Sequence, residues 1–151
     1  MNRRHVMLMA SAALIAPASL HAATGEIWSA TDAADALAAG KIAMIDVRSR
    51  AEWAETGVAT GAWPISLHEP KFETRLLAAR EMAAGKPVAL ICATGGRSGR
   101  VFQALKQAGF QDFIDVSEGM LGSRRGPGWL ALDLPVTDLQ SALLNLPEAL
   151  Q

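Results

Sequence analysis

The sequence predicts an α/β domain with about five mainly parallel strands and helices on both faces of the sheet. Short apolar runs alternate with longer helix-like segments, as expected when helices connect parallel strands. The run from Val88 to Cys92 contains no polar residue, which is typical of a central strand covered on both faces. With 151 residues, 50% of them hydrophobic, the chain is long enough for one domain with an ordinary core.

The first 22 residues resemble a cleaved export signal. Arg3 and Arg4 precede an apolar stretch over 6–15 that is too short to span a bilayer, and a small-residue cleavage pattern ends at Ala22. We expect cleavage near Ala22 and export to the periplasm, by the general secretory route rather than the twin-arginine route. An uncleaved membrane anchor is the alternative, against which the brevity of the apolar run counts. We expect no stable membrane insertion after cleavage.

The remaining chain divides into one domain over 23–140 and a C-terminal tail over 141–151. Cleavage would remove two of the 14 basic residues, Arg3 and Arg4, and none of the 15 acidic ones. The formal charge of the remaining chain is therefore −3. Such a mildly acidic chain has no electrostatic footprint for nucleic acid, so we expect no nucleic-acid partner. It retains one histidine, His68, and one cysteine, Cys92, without ligand spacing, so we expect no bound metal.

The predicted elements alternate along the chain. A helix begins at a Thr31 cap and ends at Gly40, and a strand follows over 42–47. Ser49 and Glu52 have the spacing of a capping box, which predicts the next helix. The later elements are a short strand over 62–65, a helix over 71–84, a strand over 88–92, a helix over 100–109 and a strand over 112–116.

Cys92 lies at the carboxyl end of the central predicted strand, where ligands bind in open α/β sheets. The loop after it can direct successive backbone N–H groups at one point, and Gly95 and Gly96 permit the positive φ angles that this requires. Arg97 adds a cation and Ser98 a hydroxyl where the next helix begins. We therefore predict that Cys92 is a nucleophilic thiolate in an anion-binding loop. The alternative is an inert, buried cysteine beside a tight turn.

The segment CATGGRS resembles the active-site loop of rhodanese-like sulfurtransferases, written C-x-x-G-x-R-[ST]. MIDVRSRAEWAETG resembles a strand and helix of that family, and ALKQAGFQDFIDVSEGM and LDLPV resemble its later segments. The similarity runs from about Ile42 to Val136, and it is the order and spacing of the segments that identify the family. The sequence departs from the usual family pattern at two places. It has GVATGA where G-H-I-P-G-A is frequent in the family. It has Ala93 where arginine is frequent, which leaves Arg97 as the main cation of the loop.

The resemblance implies a rhodanese-like three-layer fold and a thiosulfate sulfurtransferase type of activity. The Cys92 thiolate would take sulfane sulfur from a small anionic donor as a persulfide and pass it to a thiophilic small molecule or a protein thiol. That covalent persulfide is the intermediate, and no cofactor is implied. The residues that would bind the anion and the persulfide are Ala93, Thr94, Gly95, Gly96, Arg97 and Ser98.

Two other functions stay open at this point. A persulfide carrier, a redox module or a protein-binding module would have the same sequence features. A cysteine-dependent phosphatase is disfavoured, because four residues separate Cys92 from Arg97 where cysteine phosphatases have five, although a shifted register that uses Arg100 stays open. An arsenate reductase is the less favoured alternative that loop length does not exclude, because arsenate-reducing relatives have shorter loops.

Further candidates for the pocket are arginines outside the loop. Arg124 and Arg125 lie in the glycine-rich segment over 119–129, and long irregular segments of this kind are often functional. Arg48 either faces the loop or pairs with Asp46, and pairing is the favoured interpretation. His68 is interpreted as a surface or capping residue rather than a base.

Overall fold

A computed structural model describes residues 27–151, and the predicted signal over 1–22 lies outside these residues. In chain order the elements are β1 (Ile27–Trp28), α1 (Ala30–Ala38), β2 (Ala43–Asp46), α2 (Arg50–Thr56), β3 (Val58–Ala59), β4 (Trp63–Pro64), α3 (Phe72–Met82), β5 (Val88–Ile91), α4 (Gly96–Gln107), β6 (Phe113–Val116), β7 (Val136–Thr137), α5 (Leu139–Leu144) and a 3₁₀ turn (Glu148–Leu150). Within the described range, no helix is long and apolar enough to cross a membrane.

Five of the strands form one sheet in the order β1-β6-β5-β2-β4, and every pair in it is parallel. The predicted α/β fold with about five parallel strands is therefore confirmed. β3 and β7 form a separate antiparallel pair that the sequence did not predict. Each of these two strands has only two residues, too few to establish an alternating pattern.

The helix caps show how local sequence sets the element boundaries. Ser49 and Glu52 form the predicted capping box at the start of α2, with the Ser49 N–H donating to Glu52 Oε2 at 2.9 Å. The cap of α1 is Ser29 rather than Thr31, because the Asp32 N–H donates to Ser29 Oγ at 3.0 Å. A serine two residues earlier thus competes successfully for the same capping role.

The core has one apolar cluster on each face of the sheet. Residues of the central strands alternate between them: Met44 and Ile91 face the cluster that contains α1, whereas Ile45 and Leu90 face the cluster that contains α3 and α4. Cys92 continues this alternation and belongs to the second cluster. The arrangement of helices on both faces is the predicted three-layer one.

The C-terminal tail predicted over 141–151 packs against α3 through its last residues. Leu146 and Leu150 are buried in the second cluster, and Arg75 Nε donates to the Leu150 carbonyl oxygen at 2.8 Å. Two leucines that are four residues apart carry little sequence signal. They are buried because the 3₁₀ turn packs against the apolar face of α3.

The strand register brings three carboxyl ends together at one edge of the sheet. Asp46 at the end of β2 lies opposite Ile91, the last residue of β5. Leu90 of β5 lies opposite Asp115 of β6. Cys92 therefore emerges between the ends of β2 and β6, the position at which an open α/β sheet binds ligands.

Candidate active site

The loop over 92–98 surrounds the sulfur of Cys92 with hydrogen-bond donors. The Gly95 N–H donates to Cys92 Sγ at 3.2 Å, and the Ser98 hydroxyl donates to it at 3.4 Å. Cys92 is 1% exposed and Ser98 is fully buried, so these donors act in a site from which water is largely excluded. Hydrogen bonds from such donors are stronger to a sulfur that carries negative charge than to a neutral one.

A tight turn over 117–121 supports the loop from the side of β6. The Met120 N–H donates to the Cys92 carbonyl oxygen, and the Leu121 N–H donates to the Ala93 carbonyl oxygen, both at 2.8 Å. Gly95 has a φ of 81°, and a Cβ there would overlap the Ser117 carbonyl oxygen. The loop and the turn thus approach each other so closely that Gly95 has no room for a side chain.

Gly96, for which a positive φ was also predicted, begins α4 in an ordinary helical position. Only Gly95 adopts the left-handed conformation in this loop. One left-handed residue is enough to turn the chain from β5 into α4, because the helix then continues with regular geometry.

Arg97, which was expected to be the main cation of the loop, forms an ion pair with Glu52 instead. Its Nη2 donates to Glu52 Oε1 at 2.5 Å and its Nη1 to Glu52 Oε2 at 2.9 Å, and the exposed His68 places Nε2 at 3.2 Å from Nη1. These hydrogen bonds from Arg97 lower the pKa of Glu52 to about 2, while burial acts in the opposite direction. The same pair raises the pKa of Arg97. Arg97 therefore ties α4 to α2, and Glu52 balances its charge.

Arg48 pairs with Asp46, as favoured, and does not line the pocket. Its Nη2 lies 2.8 Å from Asp46 Oδ2, and the two side chains are 1% and 0% exposed. The remaining donors reach the Thr56 hydroxyl at 2.8 Å and the Gly57 carbonyl oxygen at 2.7 Å. Because its guanidinium is buried and engaged, Arg48 holds the end of β2 to the end of α2 instead of binding an anion.

Arg124 and Arg125 lie where the sequence analysis expected pocket residues. Together with Arg100 they border a groove of about 740 Å³ that also reaches Thr94, Gly95 and Gly96 of the loop. We call this the basic groove. None of the three arginines forms an ion pair within residues 27–151, so the groove carries three guanidinium groups against the one carboxyl group of Asp115 beside the loop.

Sequence reasoning missed two acidic residues at this site. Glu52 was recognised only as half of a capping box, because nothing local indicates its second partner 45 residues away. Asp115 of β6 is 4% exposed and lines the basic groove. An acidic residue within the apolar run FIDV is a signal that could have drawn attention to it.

Known proteins resemble this chain in sequence and in fold. A family model described as the rhodanese-like domain matches residues 29–123. No curated protein matches the chain. Among solved structures, Rv0390 from M. tuberculosis is 25% identical, has a TM-score of 0.53 and aligns over 74% of this chain and 96% of its own.

Two further solved structures are similar to this chain. SSP1007 from Staphylococcus saprophyticus subsp. saprophyticus is 26% identical, with a TM-score of 0.50 over 63% of this chain and 89% of its own. The solution structure of a polysulfide-sulfur transferase homodimer from Wolinella succinogenes is 25% identical, with a TM-score of 0.52 over 74% of this chain and 77% of its own. Since the matching family model covers more than half of the residues, the chain belongs to the rhodanese-like domain family, which is of the sulfurtransferase type.

Proposed function

We propose that the protein transfers sulfane sulfur from a small anionic, thiosulfate-like donor to a thiol acceptor through a persulfide on Cys92. The observation that carries the proposal is the position of Sγ, which accepts hydrogen bonds from the Gly95 N–H at 3.2 Å and the Ser98 hydroxyl at 3.4 Å. Donors at these positions stabilise negative charge on the thiolate and then on the persulfide. The name of the Wolinella succinogenes relative, a polysulfide-sulfur transferase, supports chemistry of this kind.

The proposed reaction has two displacement steps. The Cys92 thiolate attacks the outer sulfur of the donor, so that a new S–S bond forms while the donor's S–S bond breaks and its anion leaves with the electron pair. The acceptor thiolate then attacks the outer sulfur of the persulfide and releases the Cys92 thiolate. The acceptor is a small thiophilic molecule or a protein thiol. The steps use the covalent persulfide and require no metal or organic cofactor.

We propose the periplasm as the location of this reaction, on the sequence of residues 1–22. A single cysteine cannot form an internal disulfide, so the thiol stays available in an oxidising compartment unless an outside thiol or oxidant reaches it.

The ion pair of Arg97 with Glu52 argues against a phosphatase or an arsenate reductase. In those reactions an arginine must bind the oxyanion held by the loop, and here the guanidinium donates to both carboxylate oxygens of Glu52. A persulfide carrier or a protein-binding module keeps the same geometry, and turnover with an acceptor distinguishes it from an enzyme.

The first prediction concerns the mass of the protein. After incubation with thiosulfate or an organic thiosulfonate, we expect intact-mass spectrometry to show a gain of one sulfur, about 32 Da, because an activated thiolate attacks sulfane sulfur. Cyanide should remove the added mass, and Cys92→Ser should never acquire it. An added thiol acceptor should return the protein to its original mass and allow repeated turnover.

A wild-type protein that gains no sulfur from either donor would refute the proposed transfer. Loading without turnover on any thiol would instead favour the persulfide carrier. In either case the Cys92→Ser variant shows whether a mass change at another residue contributes.

The basic groove leads to a second prediction. Replacing Arg124 and Arg125 by Gln should raise the thiosulfate concentration for half-maximal loading about fivefold at low salt, since each exposed charge contributes about 0.5 kcal/mol. The maximal loading rate should stay unchanged, and salt should remove the difference. Arg50→Gln is the matched control, because Arg50 is 60% exposed and lies outside the groove. Equal half-maximal concentrations for all variants would exclude the groove from donor binding.

A further inference from the structure

The basic groove extends along α4 and ends beside the loop that holds the nucleophile. Thr94 and Gly95 border it at the loop end, and the Gly95 N–H donates to Cys92 Sγ at 3.2 Å. Gln107, the last residue of α4, borders the other end. Between Gly96 and Gln107 the helix advances by about 16 Å. At about 3.3 Å per residue, an extended peptide of about five residues covers that length.

Small residues on one face of α4 leave space for the groove. Gly96, Gly99 and Ala104 line it, and a Cβ at Gly96 would meet no neighbouring atom within 4 Å. Residues three or four positions apart share a helix face, so the small residues lie on the same side of α4 as Arg100 and Gln103. The volume of about 740 Å³ lies within the range of about 300–1,000 Å³ that holds drug-sized ligands, which is far more than a thiosulfate ion fills.

Two of the arginines lie at the tip of a hairpin whose backbone is fixed. Arg124 and Arg125 are enclosed between Ser123 and Gly126, which pair in antiparallel fashion. The Ser123 N–H donates to the Gly126 carbonyl oxygen at 2.9 Å, and the Gly126 N–H donates back at 3.3 Å. Ser123 Oγ also donates to the Ser117 carbonyl oxygen at 3.0 Å. Because this backbone is already ordered, an anion that binds there does not have to order it first.

The charges and the hydrogen-bonding groups of the groove favour an acidic peptide. Arg100, Arg124 and Arg125 face the one carboxyl group of Asp115, although the chain as a whole has a formal charge of −1. Asp115 is 4% exposed, and its Oδ1 has no hydrogen-bond partner within residues 27–151. An acidic peptide brings carboxylates for the guanidinium groups and also N–H donors, which thiosulfate lacks.

Other occupants fit the groove less well. Within the described part of the chain no aromatic side chain lines it, whereas sites for single-stranded nucleic acid stack bases on such side chains. A small free thiol would use only the end beside the loop. A positive groove on an acidic protein orients an acidic segment, because the rest of the surface does not attract it.

We propose that the basic groove is the docking site for the sulfur acceptor, a cysteine within an acidic segment of a partner protein. The cysteine lies at the loop end, and the acidic residues lie against the arginines. Its thiolate attacks the outer sulfur of the Cys92 persulfide, so that a new S–S bond forms while the bond to Cys92 breaks and Cys92 leaves as a thiolate. The donor uses only the charge of the groove, whereas the acceptor uses its length as well. The inference rests on the proposed function for the use of the persulfide, but docking is measured without it.

The test is the affinity of the wild-type protein for labelled peptides in which serine replaces the acceptor cysteine. The acidic pentapeptide is a serine followed by four glutamates, and the neutral one has glutamines instead. By fluorescence anisotropy at low salt, we expect the acidic pentapeptide to bind about tenfold more tightly, because each of three exposed charge pairs contributes about twofold. An acidic dipeptide, a serine followed by one glutamate, should lose most of this gain.

Substitutions in and beside the groove test where the peptide lies. Arg124→Gln with Arg125→Gln should weaken binding of the acidic pentapeptide about fivefold, and Arg100→Gln about twofold. Gln107→Lys adds a cation at the far end, so it should strengthen binding of the acidic pentapeptide about twofold and leave the dipeptide unaffected. Lys106→Gln is the matched control, because Lys106 is exposed on α4 and does not line the groove. It should leave both affinities unchanged.

Equal affinities for the acidic and neutral pentapeptides would overturn the inference. An acidic dipeptide that binds as tightly as the pentapeptide would also overturn it, because a small free thiol would then suffice. Tighter binding of a single-stranded oligonucleotide of equal charge would assign the groove to nucleic acid instead. The sulfur-transfer proposal fails by a different observation, namely a wild-type protein that binds the acidic pentapeptide as expected and forms no persulfide.

Discussion

Replacing Gly95 by Ala should lower the rate of persulfide formation about 100-fold, the usual effect of losing one donor to a developing anion. The residue has a φ of 81°, and the new Cβ would overlap the Ser117 carbonyl oxygen. To relieve this overlap the loop must move away from Ser117, which takes the Gly95 N–H off Cys92 Sγ. Stopped-flow or quenched mass measurements of loading by thiosulfate give the rate directly.

Gly85→Ala is the matched control for this substitution. Gly85 has a similar φ of 86°, but no atom lies within 4 Å of its Cβ position. That variant carries only the backbone cost of a left-handed alanine, about 1 kcal/mol, and should load at the wild-type rate. Gly119→Ala, whose Cβ would overlap the Ala93 carbonyl oxygen, should slow loading as Gly95→Ala does. A folded Gly95→Ala protein that loads within twofold of wild type would show that this N–H does not matter.

Replacing Arg48 by Met should destabilise the fold by about 3–5 kcal/mol, because it leaves a buried carboxylate without its partner. Asp46 is 0% exposed, and the backbone N–H of residue 48 is its one remaining donor within the described residues. The loss is a large part of the stability of a domain this size. Urea unfolding followed by the fluorescence of the buried Trp53 and Trp129 measures it.

A second substitution separates the charge from the packing. Asp46→Asn combined with Arg48→Met should be more stable than Arg48→Met alone, because a neutral amide costs less to bury than a carboxylate. Arg50→Met changes an arginine that is 60% exposed and should shift stability by less than about 0.5 kcal/mol. If Arg48→Met and Arg50→Met were equally mild, the buried pair would not hold the end of β2 in place.

The contrast between Asp46 and Asp115 shows where sequence reasoning stopped. The pairing of Asp46 with Arg48 was predictable, because the two residues are two positions apart at a strand end. The sequence did not indicate that Asp115 belongs to the site, because its place beside the loop depends on the register between β5 and β6. A pattern along one strand does not specify which residue of the next strand lies opposite.

By itself, the sequence determined the order of the helices and strands around the central sheet and the family, and it singled out Cys92 as the candidate nucleophile. Apolar runs, caps and the CATGGRS loop are local features, and each acts through neighbours in the chain. Only the tertiary structure decided that Arg97 pairs with Glu52, that Arg48 is buried with Asp46 and that Asp115 lines the basic groove. These outcomes depend on contacts between distant segments, because burial and strand register determine which charged groups remain available to a ligand.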